Sequence, residues 1–568
     1  MVKFLRITEV LMTITITYHG RDYTVRKYCS IGEFLEQNDP QAMKAGSYPE
    51  NPIVAGLANN ELLPLSARFS HSFTLEEVRL ISVLGKRIYR ASICFLMAYA
   101  NYLVNPSKSL VVGHSLGDGY YYTFADGHSA TVAEIRALEQ KMKEICALKQ
   151  PITRYFLPYE KARDYFRSRG SEDTVKLLDY TNEPDVECYM TGDFYDLSLE
   201  PLAPHTGMLT LWELVPYADG MLLRFPRSSD LKHLRPFFDQ PLLFNVFSEY
   251  RVWGKILGVM SIGELDEICY DTKKISDYIR LSEALQARKI ASIADEIHSR
   301  GSKVVLIAGP SSSGKTTFTN KLCMQLKMLG HDALRISLDD YYKPHDQTPV
   351  DEEGNLDYDT FEAIDARGFR DELHALLDGQ TVTLSAYDFK TGERRPSGRT
   401  VRLSSSSVVL VEGIHGLHPE LAPQLPAQTV YRIYISALTQ INLDSHTRLS
   451  TTDNRLLRRL VRDARARATK AVVTMEMWQR VQNSAIKNIF PHQNNADVIM
   501  NSALDYEVGV LAGYAIPLLK EIKPTSEAYY NTARRLLKIL DRVHPIPAEL
   551  VPKDSLIREF IGGGEFED

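Results

Sequence analysis

The stretch VVLIAGPSSSGKTTFTNKL, residues 304–322, joins an apolar run to a loop rich in glycine and serine. Residues 309–316 match the pattern GxxxxGK(S/T) at every fixed position. The run before the loop predicts a strand and the residues from Lys315 onward predict a helix, so main-chain N–H groups and the helix N-terminus could surround phosphate groups. Such a loop can arise by chance, but its two flanks favour a site for a nucleoside triphosphate.

Two side chains of the loop have separate chemical roles in this prediction. Lys315 would neutralise charge on the β- and γ-phosphates, which makes it a predicted catalytic residue, and the hydroxyl of Thr316 would hold Mg²⁺. ATP and Mg²⁺ are therefore the predicted cofactors. The loop residues predicted to bind ATP are Gly309, Ser311, Ser312, Ser313, Gly314, Lys315, Thr316 and Thr317.

Acidic residues follow two further apolar runs. VVLVEG, residues 408–413, carries Glu412 at its end, where a carboxylate can contact Mg²⁺, although an acid there can equally belong to a surface turn. The run ALRI leads into SLDDYY, in which Asp339 can accept the proton of an attacking hydroxyl. The paired acids can instead cap the next helix, which explains one aspartate but not the tyrosines behind it.

The stretch RLLRRLVRDARARATK, residues 455–470, concentrates arginines within a few helical turns. Spacings of three and four put Arg455, Arg459 and Arg462 on one helix face, where like charges repel. A lid over ATP explains such a face, because arginine binds phosphate through two nitrogens and stabilises charge on the transferring group. An arginine helix that binds RNA is the alternative, although no stacking aromatic residues are interleaved.

The elements that must position these residues alternate between strand and helix after residue 303. The predicted strands are VVLIAG, ALRISLDD, VTLSAYDF, VVLVEGI and YRIYIS. Strands separated by helices pair in parallel through right-handed crossovers, which predicts an α/β fold with a doubly wound parallel sheet. Ligands of such sheets bind beyond the carboxyl ends of the strands, where the residues above fall.

The first three hundred residues predict different units. Residues 12–27 alternate with period two around His19-Gly20-Arg21, which is typical of a hairpin; a helix, IGEFLEQ, and two strands in IVAGLANNELLPLS follow. Residues 71–235 mix helical and extended patterns, which favours an α+β domain. The predicted division is 1–70, 71–235, a helical connector at 236–300, a rear domain at 301–545 and a tail at 546–568.

Composition fits several folded units in a soluble protein. The chain has 568 residues, 44% hydrophobic and 24% charged, and a net charge of -6 that argues against broad nonspecific nucleic-acid binding. Six cysteines lack any metal spacing and predict reduced thiols. The start of the chain shows no basic leader with an apolar stretch, and no long apolar run occurs, so we expect a cytoplasmic protein without membrane contact.

The loop, SLDDYY, LDYDTFEAID, AYDF, VEGI and RRLVRD resemble, in this order, the uridine kinase and phosphoribulokinase-like P-loop kinases, over roughly residues 300–505. The resemblance implies a catalytic base at Asp339 for a nucleoside 5'-hydroxyl. It also implies substrate contacts and phosphate-binding arginines. The implied substrate-binding residues are Tyr342, Asp359, Tyr387 and Arg459, and the implied ATP-binding arginines are Arg462, also catalytic, and Arg467.

Two departures from that family concern specificity. A histidine that helps to read the base closely follows the YDF motif in the pyrimidine kinases, whereas Lys390-Thr391-Gly392 follows it here. Thr469 stands where the family has a late arginine of the lid. Catalytic roles therefore transfer better than base specificity, and the acceptor stays open between nucleoside-like compounds.

The front half resembles a TGS domain of the β-grasp type over residues 1–70, and the editing domain of threonyl-tRNA synthetase over 71–235. In that editing domain an HxxxH pair with a later cysteine and histidine hydrolyses mischarged tRNA. Here the corresponding residues are His114, Asp118, Ser198 and His205, which leaves His114, Asp118 and His205 as a candidate vestigial metal site. This order of domains, and the tail IREFIGG, resemble a family of long bacterial nucleoside kinases.

The sequence thus predicts an ATP-dependent kinase that phosphorylates a hydroxyl of a uridine- or cytidine-like nucleoside. The alternative is a nucleotide-switched regulatory protein that binds tRNA or RNA through its front domains. A third hypothesis is residual ester hydrolysis by the editing-like domain. The sequence does not predict which acceptor is used or the oligomeric state.

Overall fold

The structure is a computed structural model, and it describes residues 12–44, 51–226, 233–351, 354–525 and 527–566. Most of the N-terminal stretch considered above as a possible leader, residues 1–11, lies outside them. Within the described ranges no helix combines the length and the apolar character that crossing a bilayer requires.

The first unit is a five-stranded sheet in the order β2-β1-β5-β3-β4. The central strands β1 and β5 are parallel and the other neighbours antiparallel, the arrangement of a β-grasp fold. The predicted hairpin, helix and strand pair are confirmed, and the fifth strand of the sheet lies wholly after residue 70. The elements are β1 (Thr13–Tyr18), β2 (Arg21–Arg26), α1 (Ile31–Asn38), α2 (Pro40–Lys44), β3 (Ile53–Ala58), β4 (Glu61–Pro64) and β5 (Phe73–Arg79).

The second unit has two antiparallel sheets, β11-β12-β7-β6 and β10-β9-β8, with helices packed against them, as the α+β prediction requires. Its longest helix, α3, shows no simple amphipathic stripe because it is buried on most sides. The elements are α3 (Val83–Val104), β6 (Leu110–Leu116), β7 (Gly119–Phe124), α4 (Val132–Leu148), β8 (Thr153–Pro158), α5 (Tyr159–Ser168), α6 (Glu172–Tyr180), β9 (Asp185–Thr191), β10 (Phe194–Asp196), β11 (Glu213–Tyr217) and β12 (Gly220–Arg224).

Helices occupy the segment that leads to the rear sheet, as predicted. They are α7 (Pro241–Leu257), α8 (Ile262–Cys269) and α9 (Thr272–Arg300). The last of them stops at Gly301, whose φ of +67° suits a residue without Cβ and turns the chain into the next strand.

The rear half contains the predicted parallel sheet, in the order β14-β17-β13-β18-β19. Val305 and Ile307 pack on one face against α9 and α10, while Val304 and Leu306 pack on the other against α11. Helices on both faces confirm a doubly wound sheet. The strands of the rear half, which include a separate pair, β15 and β16, are β13 (Val304–Ala308), β14 (Asp332–Ser337), β15 (Val382–Asp388), β16 (Glu393–Val401), β17 (Ser407–Glu412), β18 (Val430–Ser436) and β19 (Val498–Asn501).

Helices of the rear half carry the lid residues and the tail. They are α10 (Lys315–Met328), α11 (Ala366–Leu377), α12 (Thr451–Arg467), α13 (Ala471–Ser484), α14 (Glu507–Lys520), α15 (Glu527–Leu540) and the short α16 (Arg558–Ile561).

One predicted strand lies outside the parallel sheet, which corrects the sequence analysis. VTLSAYDF forms β15, but it pairs antiparallel with β16 in a separate two-stranded ribbon, and β19 fills the fifth position of the main sheet instead. β16 is largely exposed, so the ribbon extends over the edge of the domain. A strand pattern states that a segment is extended but does not name its partner.

The front and rear halves contact one another near the start of α12. The Asn442 amide donates to the Val112 carbonyl at 2.7 Å, and His446 lies 2.8 Å from the Asp196 carboxylate. Arg535 of α15 donates to Asp453, in the first turn of α12, at 2.6 Å. The segment that leads into α12 is therefore joined to the front half, and Arg535 also lies 3.5 Å from Glu200 of that half.

Candidate active site

The loop between β13 and α10 is shaped by close approach and by left-handed residues. A Cβ added to Gly309 would lie 2.1 Å from the Ile435 carbonyl oxygen, so only glycine fits there. Ser312 and Gly314 have φ of +61° and +84°. Left-handed residues at alternate positions can turn main-chain N–H groups toward a common centre at the start of α10, as an anion-binding loop requires.

Several polar atoms in and beside this loop are buried and make no hydrogen bond to any residue that the structure describes. They include the hydroxyls of Ser312 and Ser313 and one guanidinium nitrogen of Arg455, in α12. Because buried polar groups in proteins are nearly always hydrogen-bonded, these atoms point to a missing partner. Hydroxyl and guanidinium donors around an amide-lined turn fit the oxygens of a nucleotide phosphate.

Lys315 begins α10 and lies inside the loop. Its ammonium donates to the Gly309 carbonyl at 2.9 Å. Burial lowers the pKa of Lys315 from its ordinary value, while the carboxylates of Glu412 and Asp339 oppose that shift. The lysine is thus a cation near two acids, in the position where phosphate charge must be neutralised.

Thr316 and Glu412 meet between α10 and the end of β17. The Thr316 hydroxyl lies 3.3 and 3.4 Å from the two Glu412 oxygens. Burial, opposed by Lys315 and assisted by the neighbouring acids Glu559 and Asp339, raises the pKa of Glu412 to about 7. A hydroxyl and a carboxylate offer the oxygen ligands that Mg²⁺ prefers, and a dication would keep Glu412 ionised.

Asp339 lies in a 3-10 turn directly after β14, and its neighbour Asp340 faces elsewhere. Removal from bulk water raises the pKa of Asp339, whereas Lys315 and the Tyr342 hydroxyl lower it. One oxygen of Asp340 accepts from the Tyr387 N–H at 3.4 Å. The two acids therefore have different roles: Asp339 faces the lysine of the loop, and Asp340 fixes β15.

Aromatic side chains form a cluster, here called the aromatic wall, beside Asp339. The rings of Tyr342 and Tyr358 lie 5.2 Å apart, those of Tyr342 and Tyr387 5.7 Å, and those of Tyr342 and Phe389 6.0 Å. The hydroxyls of Tyr358 and Tyr387 are 3.4 Å apart. Of the predicted substrate residues, Tyr342 and Tyr387 are thus brought together, with Tyr358 and Phe389 as partners that the sequence did not single out.

Asp359 and Arg459 link this wall to the nucleotide loop. Burial and the nearby Asp357 raise the pKa of Asp359, and Arg459 lowers it. The Arg459 guanidinium also donates to the Ser311 hydroxyl at 3.0 Å. One arginine therefore contacts the loop and acts electrostatically on the acid predicted to bind the substrate.

The arginine-rich segment is a helix, α12, and most of its cations are held by acids or carbonyls. Asp463, 1% exposed, lies 3.2 Å from Arg459, 3.0 Å from Arg462 and 3.4 Å from Arg467. Arg455 donates to the Ser311 carbonyl at 3.0 Å. The shared carboxylate offsets the repulsion expected at these spacings, and Arg455 and Arg459 are buried rather than available to an RNA backbone.

The candidate metal site of the editing-like domain is not assembled. His114 is buried and its ring stacks on Phe247 at 3.8 Å, where burial lowers its pKa well below the ordinary value. In the described part of the chain, the His, Cys, Asp and Glu ligand atoms that converge within 4.8 Å belong to His19, Asp39 and Glu77. His114, Asp118 and His205 therefore do not converge on one ion, because the sheet and the loop that carry them separate their side chains.

Sequence reasoning missed two residues that contact the loop. Arg458, in α12, donates to the Ser312 carbonyl at 3.4 Å from a fully buried position. Glu559, in the tail, accepts from Thr317 in the first turn of α10. Arg458 lies within the arginine run but outside the helix face formed by Arg455, Arg459 and Arg462. Glu559 is 242 positions from Thr317, so sequence spacing carries no signal of their contact.

The strand, loop and helix around residues 309–316 define a P-loop domain on a doubly wound sheet. The sequence model of the Phosphoribulokinase / Uridine kinase family matches residues 304–508 of this chain.

The N-terminal region is similar to threonine–tRNA ligases. The enzyme of Burkholderia multivorans is 29% identical over 201 residues, which cover 35% of this chain and 31% of that protein. The enzyme of Halorhodospira halophila is 30% identical over 166 residues, 29% of this chain and 26% of that protein. The chain thus spans less than a third of the length of these curated relatives.

Two solved structures are similar to part of this chain. A putative fructose transport system kinase from Silicibacter is 17% identical, with a TM-score of 0.26, and the match covers 37% of this chain and 98% of that one. A possible uridine kinase from Bacillus stearothermophilus matches at 21% identity and a TM-score of 0.24, covering 35% and 89%. Scores and identities of this size carry no conclusion about the substrate.

Proposed function

We propose that the chain is an ATP-dependent phosphotransferase that moves the γ-phosphate of ATP to a hydroxyl of a nucleoside-like acceptor. The observation that carries the proposal is that Asp339 lies close enough to Lys315 of the anion-binding loop to interact with it electrostatically, and accepts a hydrogen bond from Tyr342 of the aromatic wall. The family match of residues 304–508 supports the same reaction class.

In this proposal the loop binds the triphosphate through its main-chain N–H groups and the hydroxyls of Ser312 and Ser313. Lys315 exchanges its carbonyl contact for phosphate oxygens and neutralises their charge. Thr316 and Glu412 would hold Mg²⁺, which neutralises phosphate charge when bound. Arg462 and Arg467 act from α12 on the transferring group, because guanidinium groups stabilise the charge that develops there.

Asp339 orients the acceptor hydroxyl and receives its proton. The hydroxyl oxygen forms a bond to the γ-phosphorus as the bond from that phosphorus to the β,γ-bridging oxygen breaks, and ADP leaves with the electron pair. Positioning of the two oxygens in line contributes most of the rate, because phosphoryl transfer needs little covalent chemistry from the protein. The pKa of Asp339 is raised from its ordinary value, which makes its carboxylate a better proton acceptor.

The acceptor class is inferred from the aromatic wall. Tyr342 and Tyr387 suit a flat ring, and Asp359 with Arg459 suits vicinal hydroxyls of a sugar. A uridine- or cytidine-like nucleoside fits these groups and the family resemblance. The test is to incubate the full chain with labelled ATP and separate nucleosides and sugars, and to identify the product by mass spectrometry. Phosphorylation of sugars with no nucleoside product would contradict this class.

A second candidate is a nucleotide-switched regulator that binds tRNA or RNA. The similarity of the N-terminal region to threonine–tRNA ligases favours it, and would assign the front domains, TGS-like and editing-like, to a tRNA end. Such binding should weaken steeply as salt rises. Filter-binding titrations of tRNA at two salt concentrations test it, and no retention at the lower salt would exclude it. For either function we propose a cytoplasmic location, in keeping with six free thiols.

A further inference from the structure

The C-terminal tail is anchored beside the nucleotide loop. Phe560 is fully buried, with the Arg458 guanidinium 4.9 Å from its ring centre. Arg465 of α12 donates to the Phe560 carbonyl at 3.1 Å, and Lys321 of α10 pairs with Asp554 at 2.9 Å. Burial and these polar contacts fix the tail backbone against both helices that border the loop.

One side chain of the anchored tail reaches the first turn of α10. A carboxylate oxygen of Glu559 accepts from the Thr317 N–H at 3.2 Å and from the Thr317 hydroxyl at 3.0 Å. Thr317 directly follows Lys315 and Thr316. Its N–H is one of the donors at the N-terminus of α10 that have no partner within the helix, and in the proposed function these donors bind phosphate. A carboxylate at this position is an anion that belongs to the chain itself.

This inference rests on the proposed function. We propose that Glu559 lowers the affinity for ATP: its carboxylate occupies a phosphate-binding position of the loop, and ATP must displace it in order to bind. The tail thereby sets the threshold of ATP concentration at which the enzyme is loaded.

Mutual exclusion follows from the contacts. The Thr317 N–H can make one strong hydrogen bond, and a phosphate oxygen brought to it would meet the like charge of the carboxylate. Glu559 is only partly buried, whereas Phe560 and Ile557 beside it are fully buried. Rotation of the Glu559 side chain toward solvent, with the tail backbone still in place, is therefore the smallest movement that frees the donor.

A helix-capping role makes the opposite prediction. If the carboxylate served only to complete the first turn of α10, its loss would loosen the loop and weaken nucleotide binding. Competition with phosphate predicts that its loss strengthens binding. The sign of the change in affinity therefore separates the two roles.

The test compares ATP binding by the wild-type full chain and by its Glu559→Gln variant. Binding is measured by isothermal titration calorimetry in the absence of an acceptor. Glutamine keeps the shape and removes the charge, and we expect the ATP dissociation constant to fall about five- to tenfold. Glu565→Gln is the matched control, because Glu565 is an exposed acid of the same tail; it should leave the constant unchanged. Glu559→Ala gives a second variant, which should also bind ATP more tightly.

Tripolyphosphate is a second probe, since it lacks base and ribose. The Glu559→Gln variant should bind tripolyphosphate more tightly than the wild-type chain does, by a similar factor, because the carboxylate competes with phosphate groups. An unchanged or weaker affinity of the variant for ATP, with the wild-type chain still binding ATP, overturns the inference and leaves the proposed kinase function standing. Failure of every form to bind ATP would instead overturn the proposed function.

Discussion

Arg458 and Glu507 form an ion pair in which the side chains are 0% and 2% exposed. The same guanidinium donates to the Ser502 carbonyl at 2.8 Å and to the Ser312 carbonyl at 3.4 Å. A single buried cation thus joins α12, the start of α14 and the nucleotide loop. Since a buried charge without its partner is costly, this pair determines how firmly the lid helix is held to the loop.

Removing the cation of that pair should destabilise the protein strongly. Arg458→Met leaves Glu507 buried without its partner, and we expect the free energy of unfolding to fall by about 3–5 kcal/mol. Arg280→Met is the control, because Arg280 and its partner Asp277 are exposed, and it should change stability by less than about 0.5 kcal/mol. Urea unfolding followed by circular dichroism measures both. Equal effects in the two variants would mean that Arg458 does not hold the lid.

Asp339→Asn should abolish turnover and leave ATP binding nearly intact, because asparagine cannot take the proton of the acceptor. The expected loss in kcat is about 10²–10⁴-fold. Asp340→Asn keeps an oxygen for the Tyr387 N–H and should retain most activity. Steady-state kinetics and ATP titration decide the matter. Loss of ATP binding in the Asp339 variant would show that its role is misassigned.

Thr316→Val removes a hydroxyl that lies 3.3 Å from Glu412. Because that hydroxyl is the proposed ligand for Mg²⁺, we expect kcat to fall by roughly 100-fold or more and the Mg²⁺ concentration for half-maximal rate to rise. Thr319→Val is the matched control, since the Thr319 hydroxyl donates to the Lys315 carbonyl of its own helix at 2.8 Å rather than to an acid. A Mg²⁺ titration that is the same for both variants would argue against Thr316 as a ligand.

The contact between His446 and Asp196 should make the stability of the protein depend on pH. Burial lowers the pKa of His446, but attraction to Asp196, Asp444 and Asp173 outweighs burial and raises it to about 9, from 6.5. A histidine with a raised native pKa contributes stability that is complete below pH 6.5 and is lost as the pH rises toward 9.

His446→Gln removes this titrating group. The wild-type free energy of unfolding should decrease between pH 6.5 and 9 more steeply than that of the variant, and Asp196→Asn should flatten the curve similarly. Denaturant unfolding at several pH values measures the slopes. Parallel curves for wild type and His446→Gln would show that the pair does not couple the two halves.

The local elements were largely predictable from the residues. Alternation around His19 predicted the first hairpin, and the apolar runs VVLIAG and VVLVEG predicted strands of a parallel sheet, with the phosphate loop at the end of the first. These features depend on neighbours in the chain or on a period of two, so the sequence contains them in full.

Partners distant in the chain required the folded structure. The sequence predicted that β15 is extended, but its antiparallel pairing with β16 outside the main sheet is known only from the folded structure. The sequence predicted a cationic α12, but the pairing of its Arg458 with Glu507, 49 positions away, exists only in the folded chain. Glu559 reaches Thr317 because burial of Phe560 fixes the tail there.

The amino-acid sequence by itself therefore determined the chemistry at hand: a phosphate loop, acids at strand ends and a run of arginines. The tertiary structure alone decided which charges neutralise one another, which hydroxyls remain without partners and which acid lies against the loop. The reason is physical: charge pairing and burial depend on distances through space, and those are set by packing between segments far apart in the chain.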